Sequence, residues 1–196
     1  EKAAPRIEKT QFNGELAWIK RPEQPRSSGY ALAHKALRFF LPSALQPTGA
    51  GGGMASLLEE ASRLGAFSAA SVRVPMVLEI ADDHIVLSDC GLQLREVLRQ
   101  SDDMDEKHRL LEMAMANLAK LHAQGFAHGR PHLKDMTLFN DSIYLLDLEE
   151  DPVAVMDLKD AQARDVWLLL ASSDEFCSES AADLTALLGV YQRNAK

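Results

Sequence analysis

The chain has 196 residues with a formal net charge of −8, 46% apolar and 26% charged residues. That balance supports a buried core and excludes wholesale disorder, and such acidity argues against a non-specific nucleic-acid binder, so no nucleic-acid partner is expected. Cys90 and Cys177 are too few for a disulfide framework. No apolar run nears the ~20 residues of a membrane-spanning helix and the first residues lack a signal-peptide core, so the expectation is a cytoplasmic protein.

The elements follow in order. Asn13-Gly14 marks a tight hairpin turn before a strand over 16–20, in which Leu16, Trp18 and Lys20 share one face and Ala17 and Ile19 the other. A helix is expected over 31–41, closed by Pro42, then a Gly-rich linker to residue 53 and a helix over 54–67. Met54, Leu57, Leu58, Ala61 and Leu64 form its apolar face, with Glu60 at the edge and Glu59 facing water. Strands follow near 76–80 and 84–88. Residues 93–99 form a short helix, and Ser101-Asp102-Asp103 starts a long one that ends near Gln124, with Gly125 as its stop. Its buried residues are Leu111, Ala114, Met115, Leu118 and Leu121. Short strands over 136–139 and 143–147 precede helices near 161–171 and 181–193. Strand-rich and helix-rich halves of this kind indicate an α+β fold.

The chemistry concentrates in LHAQGFAHGRPHLKD (121–135) and IYLLDLEE (143–150). Asp147 follows four apolar residues, and a carboxylate at the end of a buried strand is costly unless it meets a cation or hydrogen-bond donors. Asp135 and Asp147 together suit a hard ion such as Mg²⁺, which takes one or two carboxylates plus phosphate oxygens and water. Zinc at His122, His128 and His132 is disfavoured because Pro131 breaks any helix across 128–132.

These two stretches resemble the catalytic and metal-binding loops of the protein-kinase superfamily, most closely the small atypical bacterial kinases of the lipopolysaccharide (Kdo/heptose) type. The resemblance implies a two-lobed protein-kinase-like fold with a reduced N-lobe sheet (1–90) and a helical C-lobe (91–196). By the same resemblance Lys20 in Ala17-Trp18-Ile19-Lys20 takes the place of the phosphate-binding lysine, and Glu60 that of its ion-pair partner. Asp147 and Asp135 become the Mg²⁺ ligands, His128 and Arg130 shape the catalytic loop, and Asp165 braces it. The implied function is ATP- and Mg²⁺-dependent phosphoryl transfer to a non-protein hydroxyl, with a lipopolysaccharide-core sugar, another small molecule or a lipid as acceptor.

The pattern departs from the family in four places. Arg130 occupies the position of the catalytic-base aspartate, Asp135 replaces the usual Asn, Asp147-Leu148-Glu149 replaces Asp-Phe-Gly while preserving an oxygen-ligand site, and no Gly-rich loop precedes Lys20. A catalytically impaired pseudokinase, serving as a regulatory or scaffold module, is therefore the alternative. An auxiliary subunit like the small kinase of the KEOPS tRNA-modification complex is weaker, given the acidity. Only 17 residues separate Asp147 from Asp165, too few for a full peptide-docking segment. Segment 20–41 carries five basic residues against Glu23, a local charge of +4 that leaves −12 elsewhere. It suits peripheral contact with anionic lipid at the inner face of a membrane.

Overall fold

The computed structural model describes residues 4–23 and 52–195. The helix expected over 31–41, most of the Gly-rich linker and most of the basic segment lie outside the described residues. The chain is a mixed α+β structure with an N-terminal antiparallel sheet and a helical C-terminal part. No helix among the described residues is long and apolar enough to cross a membrane.

Strands β1 (Ile7–Phe12) and β2 (Glu15–Lys20) form the expected hairpin. Asn13 (φ 51°) and Gly14 (φ 86°) both take left-handed backbone, the requirement of a two-residue turn that follows the strand twist. Helix α1 (Gly53–Ala69) comes next, then β3 (Val77–Ile80) and β4 (Ile85–Ser88). The sheet order is β1-β2-β4-β3, with Trp18 opposite Leu87 and Lys20 opposite Ile85. Strand β2 buries Ala17 and Lys20, which stand on opposite faces, and leaves Leu16 exposed although it shares a face with Lys20.

The late strand pair expected from sequence is present as β6 (Met136–Phe139) and β7 (Ser142–Leu145), and a third strand that was not expected, β5 (Leu92–Gln93), joins it on the β6 side. Gly91 makes this approach workable, since a Cβ there would stand 2.2 Å from the Leu138 carbonyl oxygen. The helices α2 (Leu94–Gln100), α3 (Met104–Ala123), α4 (Leu158–Ser173) and α5 (Ser180–Asn194) complete the fold. Asp103 caps α3 by accepting from the Asp105 and Glu106 N–H groups at 2.9 and 3.3 Å.

A large apolar cluster joins α1 (Leu57, Leu64, Phe67), β4 (Ile85, Leu87), α3 (Leu111, Met115, Leu118), α4 (Leu169) and α5 (Val190). All five α3 residues expected in the core are buried. Leu58 of α1 is an exception to its apolar stripe: it is 45% exposed, while Glu60 and Arg63 are buried in its stead. Two charged groups thus take places that periodicity would assign to hydrocarbon, and both serve the site.

Candidate functional site

Lys20 leaves the last position of β2 and is 6% exposed. Its Nζ lies 2.8 and 2.7 Å from the two carboxylate oxygens of Glu60, 3.1 Å from Asp147 Oδ1 and 2.8 Å from Glu149 Oε1. Burial alone would lower the Lys20 pKa, but Glu60, Asp147 and Glu149 outweigh it and raise it above the ordinary lysine range. Glu60, 1% exposed, is the buried glutamate of α1, and Glu59 faces solvent. The structure therefore brings three residues singled out in the sequence, Lys20, Glu60 and Asp147, into one cluster. It adds Glu149, which Arg6 also binds. In the sequence Glu149 stood out only as the last residue of the altered triad, and neither its ion pair with Lys20 nor Arg6 carries a local signal.

Asp147 does not end a strand. β7 stops at Leu145, and Asp147 sits in the following loop with left-handed backbone, φ 59°. Aspartate is among the few residues that visit this region. Its second oxygen, Oδ2, accepts from Arg130 Nη2 at 3.2 Å. Burial opposes ionisation of Asp147, yet Lys20, Arg130 and Arg6 hold its pKa below the usual carboxylate value. Arg130 also lies 3.9 Å from Glu150.

Asp135 closes a turn of 3₁₀ helix (Leu133–Asp135) and is 8% exposed. Its main-chain carbonyl accepts from the Leu146 N–H at 2.8 Å, which ties the two loops together. Its Oδ2 is buried with no hydrogen-bond partner. Burial and the neighbouring charge of Asp147 push the carboxyl up to about 6, against the pull of Lys134, Arg130 and Lys20.

Behind these groups stand three supports. Asp165, fully buried in α4, accepts from the N–H groups of His128 (2.5 Å) and Gly129 (2.9 Å) and lies 3.2 Å from His122 Nε2. His128 is buried, and burial drops its pKa to about 4, so the imidazole is neutral at pH 7. Its Nδ1 accepts from the Arg130 N–H at 3.4 Å, a loop contact. Gly129, at φ 106°, lets the loop pass against residue 150, where a Cβ would stand 2.9 Å from the Glu150 carbonyl oxygen.

The third support is Arg63, which sequence reasoning missed. It lies one turn beyond Glu60 on the same face of α1. It donates to the carbonyls of Ala127 (2.7 Å), His128 (3.1 Å), Leu148 (2.8 Å) and Glu150. One guanidinium thus fastens both functional loops to the helix that presents Glu60. A buried arginine three residues after a buried glutamate was the available signal, but periodicity reads both as solvated charges.

Two pKa shifts give stability a defined pH behaviour. Folding raises the Asp135 pKa, so its contribution falls as pH rises from about 4 to about 6 and is level above that. Folding lowers the His128 pKa, so its contribution falls as pH drops from about 6.5 toward 4. The slopes oppose each other over one window and largely cancel. Asp135→Asn removes the first alone. The variant is expected to be more stable than wild type by about 2–3 kcal/mol at pH 8 and equal to it near pH 4. Urea unfolding at the two pH values checks this.

No family model matches the chain. An uncharacterized protein of Haemophilus influenzae is 26% identical over 145 residues, which cover 74% of this chain and 53% of that protein. The chain spans about half the length of this relative. Among solved structures, the complex of Rv3197 with erythromycin from Mycobacterium tuberculosis superposes with a TM-score of 0.45 and 17% identity. The match covers 74% of this chain and 42% of that one.

Proposed function

We propose that the chain is a two-lobed, kinase-like phosphotransferase that takes ATP and Mg²⁺ between a small lobe (1–90) and a large lobe (91–196). It passes a phosphoryl group to the hydroxyl of a non-protein acceptor, of which a lipopolysaccharide-core sugar is one case. The observation that carries this reading is the convergence of Lys20, Glu60 and Asp147 from a strand, a helix and a loop at 2.7–3.1 Å. Phosphoryl transfer rests mostly on positioning and charge neutralisation, and this cluster offers both.

Lys20, oriented by Glu60, would hold phosphate oxygens. Asp135 and Asp147 fit a Mg²⁺ ion, because Asp135 has a buried oxygen without a partner and is raised in pKa beside a second carboxylate. Among the described residues no group of three or more His, Cys, Asp or Glu side chains gathers to hold a metal. A two-carboxylate site completed by phosphate and water is the Mg²⁺ pattern. ATP would supply the phosphoryl group and the ion would neutralise its charge. Without an ion the Asp135 carboxyl stands near 6; an ion on it would lower that value, so Asp135 would accept a proton only through an oxygen the ion leaves open. His128 holds the loop, and Arg130 meets phosphate charge. Peripheral membrane contact through 20–41 belongs to the same proposal.

Arg130 favours a second reading, a pseudokinase that retains the fold without turnover. With Lys20 on Oδ1 and Arg130 on Oδ2, both oxygens of Asp147 already face cations. Thermal unfolding with millimolar ATP, with and without Mg²⁺, separates the readings from a non-nucleotide function. Ligand at about 100 times its Kd stabilises by about 2.7 kcal/mol, a shift of roughly 5–10 °C for a chain of this size. The expected result is a Mg²⁺-dependent shift that Asp147→Ala abolishes. No shift in wild type would sink the nucleotide reading.

A further inference from the structure

The loop that carries Arg130 and Asp135 has a second face. His132, Leu133 and Lys134 line a cavity of about 370 Å³ with Arg95 of α2 and with Ser172 and Glu175 near the end of α4. That volume is in the range of small-molecule sites. The walls are held by hydrogen bonds. Gln93 Nε2 donates to the Lys134 carbonyl at 2.8 Å, and the Leu133 N–H donates to Ser172 Oγ at 3.3 Å. Ser172 Oγ in turn donates to the Leu169 carbonyl at 3.0 Å, so its proton is already committed. Recognition in this cavity therefore falls to charge.

The charge is positive. Arg95 and Arg99 share the single carboxylate of Glu175, Arg99 with an Nη2 contact of 3.0 Å. Arg99 also pairs with Glu96 at 3.2 Å, and the side chains that line the cavity, Arg95 and Lys134 against Glu175, leave it net positive. Lys134 is exposed and makes no ion pair among the described residues. His132 reports the resulting field: burial, then the charges of Lys134, Arg130 and Arg95, hold its pKa below the ordinary histidine value. Such a cationic cavity on a chain of net charge −8 is a local reversal.

We infer that this cavity binds an anionic group, a phosphate monoester or a carboxylate, on the acceptor. Lys134 supplies a mobile point charge and Arg95 a planar pair of donors, the combination that suits such oxyanions. The word acceptor rests on the phosphotransferase reading above; binding of the anion does not.

His132 also provides the readout, because an anion in the cavity offsets the three cations and shifts its ring C–H resonances. Wild type is titrated at fixed ionic strength with glucose 6-phosphate, gluconate and neutral glucose, and the His132 resonance is assigned with His132→Gln. The expected result is a saturable shift with either or both acids, each acid reporting its own oxyanion, and none with glucose. Lys134→Ala weakens binding about tenfold, the loss of one charge-assisted contact. Lys20→Met leaves it unchanged. Lys134→Glu, also at an exposed position, abolishes it. An absent or non-saturable shift, or one that survives Lys134→Ala and disappears in Lys20→Met, overturns the inference. The two readings fail separately: an acid-specific His132 shift in a protein that ATP does not stabilise keeps the anion site and removes the phosphotransferase.

Discussion

Arg63→Met is expected to lower the unfolding free energy by about 3–5 kcal/mol, equivalent to roughly 6–20 °C in Tm. The side chain is 9% exposed, and its guanidinium answers four main-chain carbonyls in two loops. Methionine fills part of the volume but leaves those carbonyls without a donor, at about 1–3 kcal/mol for each one that water does not reach. It also removes the cation that stands 5.4 Å from the Phe67 ring centre. Glu59→Gln, on the exposed side of the same helix, is the control and changes stability by under about 0.5 kcal/mol. Guanidinium unfolding of both variants makes the comparison. An Arg63→Met cost below about 1 kcal/mol would mean that the loops do not depend on this fastening.

Arg130→Asp should have the opposite character, a protein that needs its metal. The substitution takes one cation from Asp147 and sets a third carboxylate beside Asp135 and Asp147, with Glu150 close by. Without divalent ions the variant is expected to unfold about 1–2 kcal/mol more easily, through like-charge repulsion in a partly buried setting. Millimolar Mg²⁺ recovers the loss, a dependence that wild type shows more weakly. If the native chain lost turnover through this residue, ATP turnover rises by on the order of 10²-fold, the lower range for a restored general base. A variant as stable as wild type in EDTA, with no response to Mg²⁺, would show that Arg130 and Asp147 do not share a cation site.

Elements with a strong local code were legible in the sequence. The Asn13-Gly14 turn, the Asp103 start of α3 and its apolar stripe require no knowledge of distant residues, and each lies where expected. The Lys20, Glu60 and Asp147 cluster was legible only through a resemblance, since a buried lysine on a strand violates the alternation rule. What escaped was long-range. Leu92–Gln93 is too short for any periodic signal and becomes a strand only because β6 lies alongside it. Glu149 and Arg63 are charged residues whose burial depends on partners 129 and 64 or more positions away, and local patterning cannot see them.

The left-handed backbone at Asp147 sets the mutational tolerance of that position twice over. A glutamate keeps the charge but carries the full penalty of about 1–2 kcal/mol for this conformation, and a glycine accepts the conformation but leaves Lys20 and Arg130 without their carboxylate. Asparagine keeps most of the backbone tolerance and loses only the charge, so Asp147→Asn isolates electrostatics where Asp147→Ala mixes it with strain. Aspartate alone among the twenty residues meets both demands. In a descendant that has stopped using the charge, geometry therefore still confines drift at this site to asparagine and glycine.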